Sequence, residues 1–141
     1  MRYDENMAMS VLDERECWEL LAAADVVRLA VAVAGEVEVF PVNTIADDHT
    51  LVFRTAEGTK LAAAVISGKV TVEADGEDRD AGEAWSVVLK GTAELLDNFS
   101  DIYAAEELPL YTWHAGYKGR WVRIRPREIA GRRFSVVKGP R

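Results

Sequence analysis

The run Phe53-Arg54-Thr55-Ala56-Glu57-Gly58-Thr59-Lys60-Leu61 gathers two cations and two hydroxyls around one glycine. That combination suits an anion. Gly58 lets the backbone come close to a ligand, Thr55 and Thr59 offer hydroxyls, Arg54 and Lys60 supply positive charge, and a helix opening at this point presents free amide groups. A terminal phosphate fits such a set. The same spacing also fits a threonine-capped helix beside a solvated arginine and lysine. The run lacks the first glycine and the Gly-Lys-Ser/Thr ending of a triphosphate-binding loop, and the chain has no GxGxxG pattern.

Other chemistry is poorly served. His49 and His114 are isolated, no Ser-His-Asp or Cys-His arrangement has a recognisable context, and no motif pairs two carboxylates for acid–base work. The acidic pair Asp47-Asp48 reads as a solvated turn rather than a metal site, and His49 as a turn residue. The single cysteine, Cys17, can form neither an internal disulfide nor a multi-cysteine zinc site. No metal site and no catalytic side chain are assigned, and the thiol is expected half-buried on a helix in a protein of the reducing cytoplasm.

The elements that must position the cationic run are mostly strands. Asp13 and Glu16 stand at capping-box spacing, and Cys17, Trp18, Leu20 and Leu21 recur on one stripe, so a helix is expected over Glu14–Ala24. Val26–Ala34 and Glu36–Asn43 alternate about Gly35 and read as a hairpin. Pro41 cannot donate to a ladder, which marks an edge, a bulge or a strand end whose backbone is free to bind something. Further strands are expected at Thr50–Thr55, Val70–Asp75 and Trp85–Leu96, with Gly91 as a bulge. Trp121–Arg125 should stop at Pro126, and Ile129–Val136 should follow as a seventh strand. Short helices are expected through Ile66 and over Phe99–Leu108. Six or seven short antiparallel strands with one crossover predict a small, Greek-key-like β-barrel.

The 141 residues predict one domain, at 12–136, with loose tails at 1–11 and 137–141. A net charge of −7 opposes nucleic-acid binding, and no apolar stretch is long enough to cross a bilayer. The alternating apolar faces of Val26–Asn43 and Trp85–Leu96 offer more surface than two short helices can cover, which predicts a homodimer. A substrate pocket is expected from the aromatic loop Tyr111–Tyr117 with Trp85 and Trp121, unless those rings pack the dimer interface instead.

Several pieces, weak singly but specific in order and spacing, then combine. They are Arg28-Leu29-Ala30, Phe40-Pro41-Val42-Asn43, Leu51–Thr55 with Glu57–Leu61, Val72–Asp75, Trp85-Ser86-Val87 with Gly91-Thr92-Ala93, and Arg125-Pro126 with Ile129–Arg133. In these, from about Leu12 to Phe134, the chain resembles the pyridoxamine 5'-phosphate oxidase-like family of flavin-binding split β-barrels. The resemblance implies a homodimer with two interfacial flavin sites, each built from both subunits. It implies that Arg54, Thr55, Thr59 and Lys60 hold the flavin's phosphate, and that the backbone of Pro41, Val42 and Asn43 runs along the isoalloxazine ring. Ser86 would reach the cofactor from the neighbouring strand or subunit, and Arg132 would contact the ring. The cofactor implied is FMN, with a 5-deazaflavin as the alternative. The activity implied is flavin-dependent oxidoreduction of a small conjugated substrate; the alternatives are a deazaflavin-dependent reductase, a flavin-binding or storage protein without turnover, and a cofactor-free dimer. The chain departs from the vitamin-B6 oxidases in its short length. It also lacks their C-terminal Arg-Leu-His-Asp-Arg type motif, reading Phe134-Ser135-Val136 after Arg133.

Overall fold

A computed structural model describes residues 9–55, 60–66, 68–110 and 119–136. The first helix, α1 (Glu14–Ala23), begins as its sequence predicts. The Asp13 carboxylate accepts from the Glu16 N–H at 2.8 Å, and the Glu16 carboxylate accepts from the Asp13 N–H at 3.4 Å, which closes the capping box. Its stripe of Cys17, Trp18 and Leu21 is buried. Cys17 is more deeply buried than expected, because it packs where Gly131 has no side chain: a Cβ there would lie 2.7 Å from Sγ.

Strands β2 (Val26–Val33) and β3 (Glu36–Asn43) form the expected hairpin. Ala34 and Gly35 at its tip both take positive φ, the backbone that a tight two-residue hairpin needs. After β4 (Ile45–Ala46) and β5 (Leu51–Thr55), the short helix α2 (Lys60–Val65) leads into β6 (Lys69–Asp78), β7 (Glu83–Leu95), α3 (Phe99–Glu106) and β8 (Arg120–Ser135). The strands pair antiparallel in the order β3-β2-β6-β7-β8-β5-β4, and β1 (Met9–Leu12) adds to the far end of β8. This curled antiparallel sheet forms a half-barrel of the split-barrel kind. Its concave face is filled by Leu29, Val72, Val87, Leu89, Phe53, Val122 and Ile124. A smaller cluster of Val52, Leu96, Ala105 and Trp121 lies under α3 on the other face.

Three differences from the sequence reading have physical causes. The strands expected on either side of Pro126 are one sixteen-residue strand. The register of β7 against β8 shifts between Lys90 and Gly91, and Pro126 sits opposite Gly91 at that irregularity, where a missing N–H costs no ladder bond. The end of the expected N-terminal tail is paired, since Met9–Leu12 finds open backbone on Gly131–Phe134. Finally, β6 continues past the expected end at Asp75 to Asp78, and the two-residue β4 completes a sheet of eight strands.

Candidate functional site

The cationic run sits where β5 ends. Arg54 and Thr55 are consecutive in the strand and point to opposite faces. The Thr55 side chain is buried toward the barrel. Arg54 lies on the outer face, its guanidinium carbon 5.0 Å from the centre of the Trp121 ring, its cross-strand neighbour on β8. Lys60 opens α2, and its ammonium is 2.7 Å from the Glu38 carboxylate of β3. That pair ties the start of α2 to the edge strand of the sheet. Thr59, with the rest of 56–59, lies outside the described residues.

On β3, Val42 points into the core while Pro41 is exposed and faces Arg28 across the hairpin. The Asn43 side chain donates to the Asp25 carbonyl at 3.1 Å. The Glu38–Lys60 pair thus ties α2 to β3 three residues before Pro41, while Asn43 lies at the other end of the strand, opposite Val26.

Ser86 and Arg132 form a second set. They are direct cross-strand partners on β7 and β8, and with Val88, Lys90, Glu128, Ala130 and Gly131 they line an open groove of about 310 Å³ on the outer face. Next to it on that face, the Arg28 guanidinium bonds Glu73 at 2.6 Å and Asp75 at 2.7 Å. Burial lifts the Glu73 carboxyl above its ordinary range, and its hydrogen bond with Glu73 holds Asp75 below. One guanidinium thus organises two carboxylates beside Ser86, since Asp75 pairs Ser86 across β6 and β7.

Within one chain the two sets stay apart. Trp121, under Arg54, and Arg132 are both on β8, separated by a path of roughly 36 Å at ~3.3 Å per strand residue. The two tryptophans expected to share a pocket are separated in the same way: Trp85 pairs Arg133 at the far end of β8, where its ring covers Gly76, while Trp121 is buried beneath Arg54. The aromatic loop Tyr111–Tyr117 lies outside the described residues. Sequence reasoning missed Glu38 as the partner of Lys60, and Trp121 as the platform of Arg54. The signal for Glu38 was present in the β3 alternation, which turns it to the side opposite the exposed Val37 and Val39. For Trp121, sixty-seven residues from Arg54, the chain carries no local signal.

The curled antiparallel sheet, with Arg54 over Trp121 at one end of β8 and Ser86 paired with Arg132 at the other, is that of a split β-barrel. The chain belongs to the pyridoxamine 5'-phosphate oxidase family, whose model matches residues 13–133. It is similar to an uncharacterised protein of Mycobacterium tuberculosis, 44% identical over 65% of this chain and 82% of that one. Among solved structures, it is similar to an FAD-binding protein from Mycobacterium smegmatis, with 36% identity, a TM-score of 0.77, and 89% and 97% of the two chains covered. An FAD-binding protein from Mesorhizobium loti is 25% identical, with a TM-score of 0.74 over 92% and 100% of the two chains. Among the described residues no helix is long and apolar enough to cross a membrane.

Proposed function

We propose that this chain is a flavin-dependent oxidoreductase of the cytoplasm that works as a homodimer on a small conjugated substrate. The observation that carries this reading is the separation of Arg54 from Ser86 and Arg132 along β8, on an outer face that α3 covers at the Arg54 end and that is an open groove at the Ser86 end. Arg54 at one end, and Ser86 with Arg132 at the other, serve one ligand only if a second copy brings its far end against the first. Val37 and Val39, 71% and 58% exposed, give that face the apolar surface an isologous contact uses.

In this reading Arg54 and Lys60 hold the phosphate with charge-assisted bonds, and the threonines at 55 and 59 add hydroxyl donors. Thr55 is the last residue of β5, so groups on both sides of the strand reach the ligand at its end. The exposed edge of β3 supplies backbone from Pro41 to Asn43 along the ring. Arg132 of the second copy brings positive charge to the ring, and Ser86 a hydroxyl. When bound, the flavin supplies the hydride chemistry, and the protein supplies position, charge and exclusion of water. FMN and FAD share the phosphate that this cluster would take. The FAD-binding proteins of M. smegmatis and M. loti make FAD the cofactor to test beside FMN and a 5-deazaflavin.

The test is absorbance and titration of the purified chain. A flavin spectrum, bleaching by reductant and substrate-dependent reoxidation are expected, with light scattering at twice 15.6 kDa. A charge-assisted contact is worth about 1.5–3 kcal/mol, so Arg54→Ala and Lys60→Ala should each weaken binding roughly tenfold or more. A monomer that takes up no flavin would refute the proposal.

A further inference from the structure

The phosphate reading treats Arg54 and Lys60 alike, but the fold does not. Lys60 ends a flexible stem that is 66% exposed. Arg54 lies over an indole that is itself immobilised. Trp121 is 6% exposed, packed among Val52, Leu96 and Ala105 with Ile102 and Leu108 around them, and its carbonyl accepts from the Leu96 N–H at 2.9 Å. The 5.0 Å between the guanidinium carbon and the ring centre lies inside the range of a cation–π contact. The β5–β8 register makes the two residues direct partners, so ring and guanidinium are held side by side by the backbone ladder.

We propose that Trp121 is the positioning residue for the phosphate cation: its ring fixes the Arg54 guanidinium before any ligand arrives. This rests on the reading of Arg54 as a phosphate contact. An arginine side chain carries large rotamer freedom, and a ligand that must freeze it binds correspondingly less well. The indole removes that freedom in advance. The contact places the guanidinium carbon over the ring face. Trp121 therefore acts on the flavin through Arg54 without touching it. That also explains why this aromatic residue is buried under a cation rather than open to a substrate.

Riboflavin, which has the flavin ring and no phosphate, separates positioning from general support. The protein and its Trp121→Met and Trp121→Phe variants are titrated with FMN and with riboflavin, and melted in parallel. Trp121→Met, which fills space without a π face, should weaken FMN about tenfold and riboflavin less than twofold. Trp121→Phe, which keeps a π face, should retain most of the FMN affinity. In an Arg54→Ala background, Trp121→Met should have no further effect on FMN. Equal losses for FMN and riboflavin, or undiminished loss in the Arg54→Ala background, overturn the inference. Should Trp121→Met fail to fold, Trp121→Phe decides alone: a smaller loss confined to FMN supports positioning, and a loss shared with riboflavin overturns it. An Arg54→Ala variant with unchanged FMN affinity is a different result, and refutes the phosphate reading itself.

Discussion

In the proposed site Glu38 competes with the phosphate for Lys60, and replacing it should tighten cofactor binding. The Lys60 ammonium lies 2.7 Å from Glu38, with the lysine side chain 66% exposed and the glutamate 27% exposed. Such a solvent-facing pair is worth only ~0.2–1 kcal/mol, so Glu38→Gln should cost the fold little. Its effect on an anion is larger than that cost. The substitution releases Lys60 from a competing carboxylate, and it removes a negative charge that would repel a phosphate by about 1 kcal/mol at contact range in water. A net gain of about 1 kcal/mol corresponds to roughly fivefold tighter flavin binding. Titration of FMN and FAD into Glu38→Gln and wild type at low salt measures it, with Glu36→Gln as the control from the same strand. At about 1 M salt, where the screening length falls to ~3 Å, most of the gain should disappear. Unchanged or weaker binding by Glu38→Gln at low salt would refute the assignment of Lys60 to the phosphate.

The proposed shared site predicts complementation: Arg54→Ala and Arg132→Ala chains, each poor in flavin, should on refolding as a mixture recover about a quarter of the wild-type sites, because half the dimers are mixed and each of those has one intact site. Flavin retained after gel filtration measures this, and no recovery argues for a site within one chain. A Cβ on Gly91 runs into the Arg125 carbonyl oxygen and approaches Pro126 Cα at 3.2 Å, and backbone cannot step aside. Gly91→Ala should therefore cost about 3 kcal/mol, or roughly 9 °C in Tm, whereas a Cβ on Gly76 meets nearest the Trp85 indole, a side chain rather than backbone, and should cost less. Burial, reinforced by Asp13, Glu16 and Glu14, pushes the Cys17 thiol up. Cys17 should be inert to thiol reagents in the native protein and react only on unfolding. The sign for stability follows: the unfolded chain releases the thiol proton first, so stability should decline as pH climbs above the ordinary thiol range, and Cys17→Ala should remove that decline.

What the chain reveals on its own is what its local chemistry decides. The Asp13 and Glu16 capping box, the alternation on either side of Gly35 and the cations around Gly58 depend on residues a few positions apart, and their elements form where the spacing predicts. Where the reading diverges, the cause is a pairing set by register. Pro126 breaks a strand by every local rule, and it is accommodated because Gly91, thirty-five residues earlier, leaves room for a bulge. Residues 9–12 look like a tail until the end of β8 offers them a ladder. The cationic cluster was legible as a list of residue types. That Thr55 faces the core, that Lys60 meets Glu38 and that Arg54 rests on Trp121 depend on how β5, β3 and β8 align.

The place of β3 at the end of the sheet order has a bearing on how the chain survives at high concentration. An edge strand that shows Val37 and Val39 to water is a template on which another chain can add, strand upon strand, into a fibril. Pro41 interrupts the row of N–H donors such growth requires, and Glu36 and Glu38 would stack like charges at each added layer. The edge is thus poorly suited to open-ended polymerisation, and the apolar surface of Val37 and Val39 lies on the strand's face rather than along its rim, which is the geometry of the closed, two-copy contact proposed above.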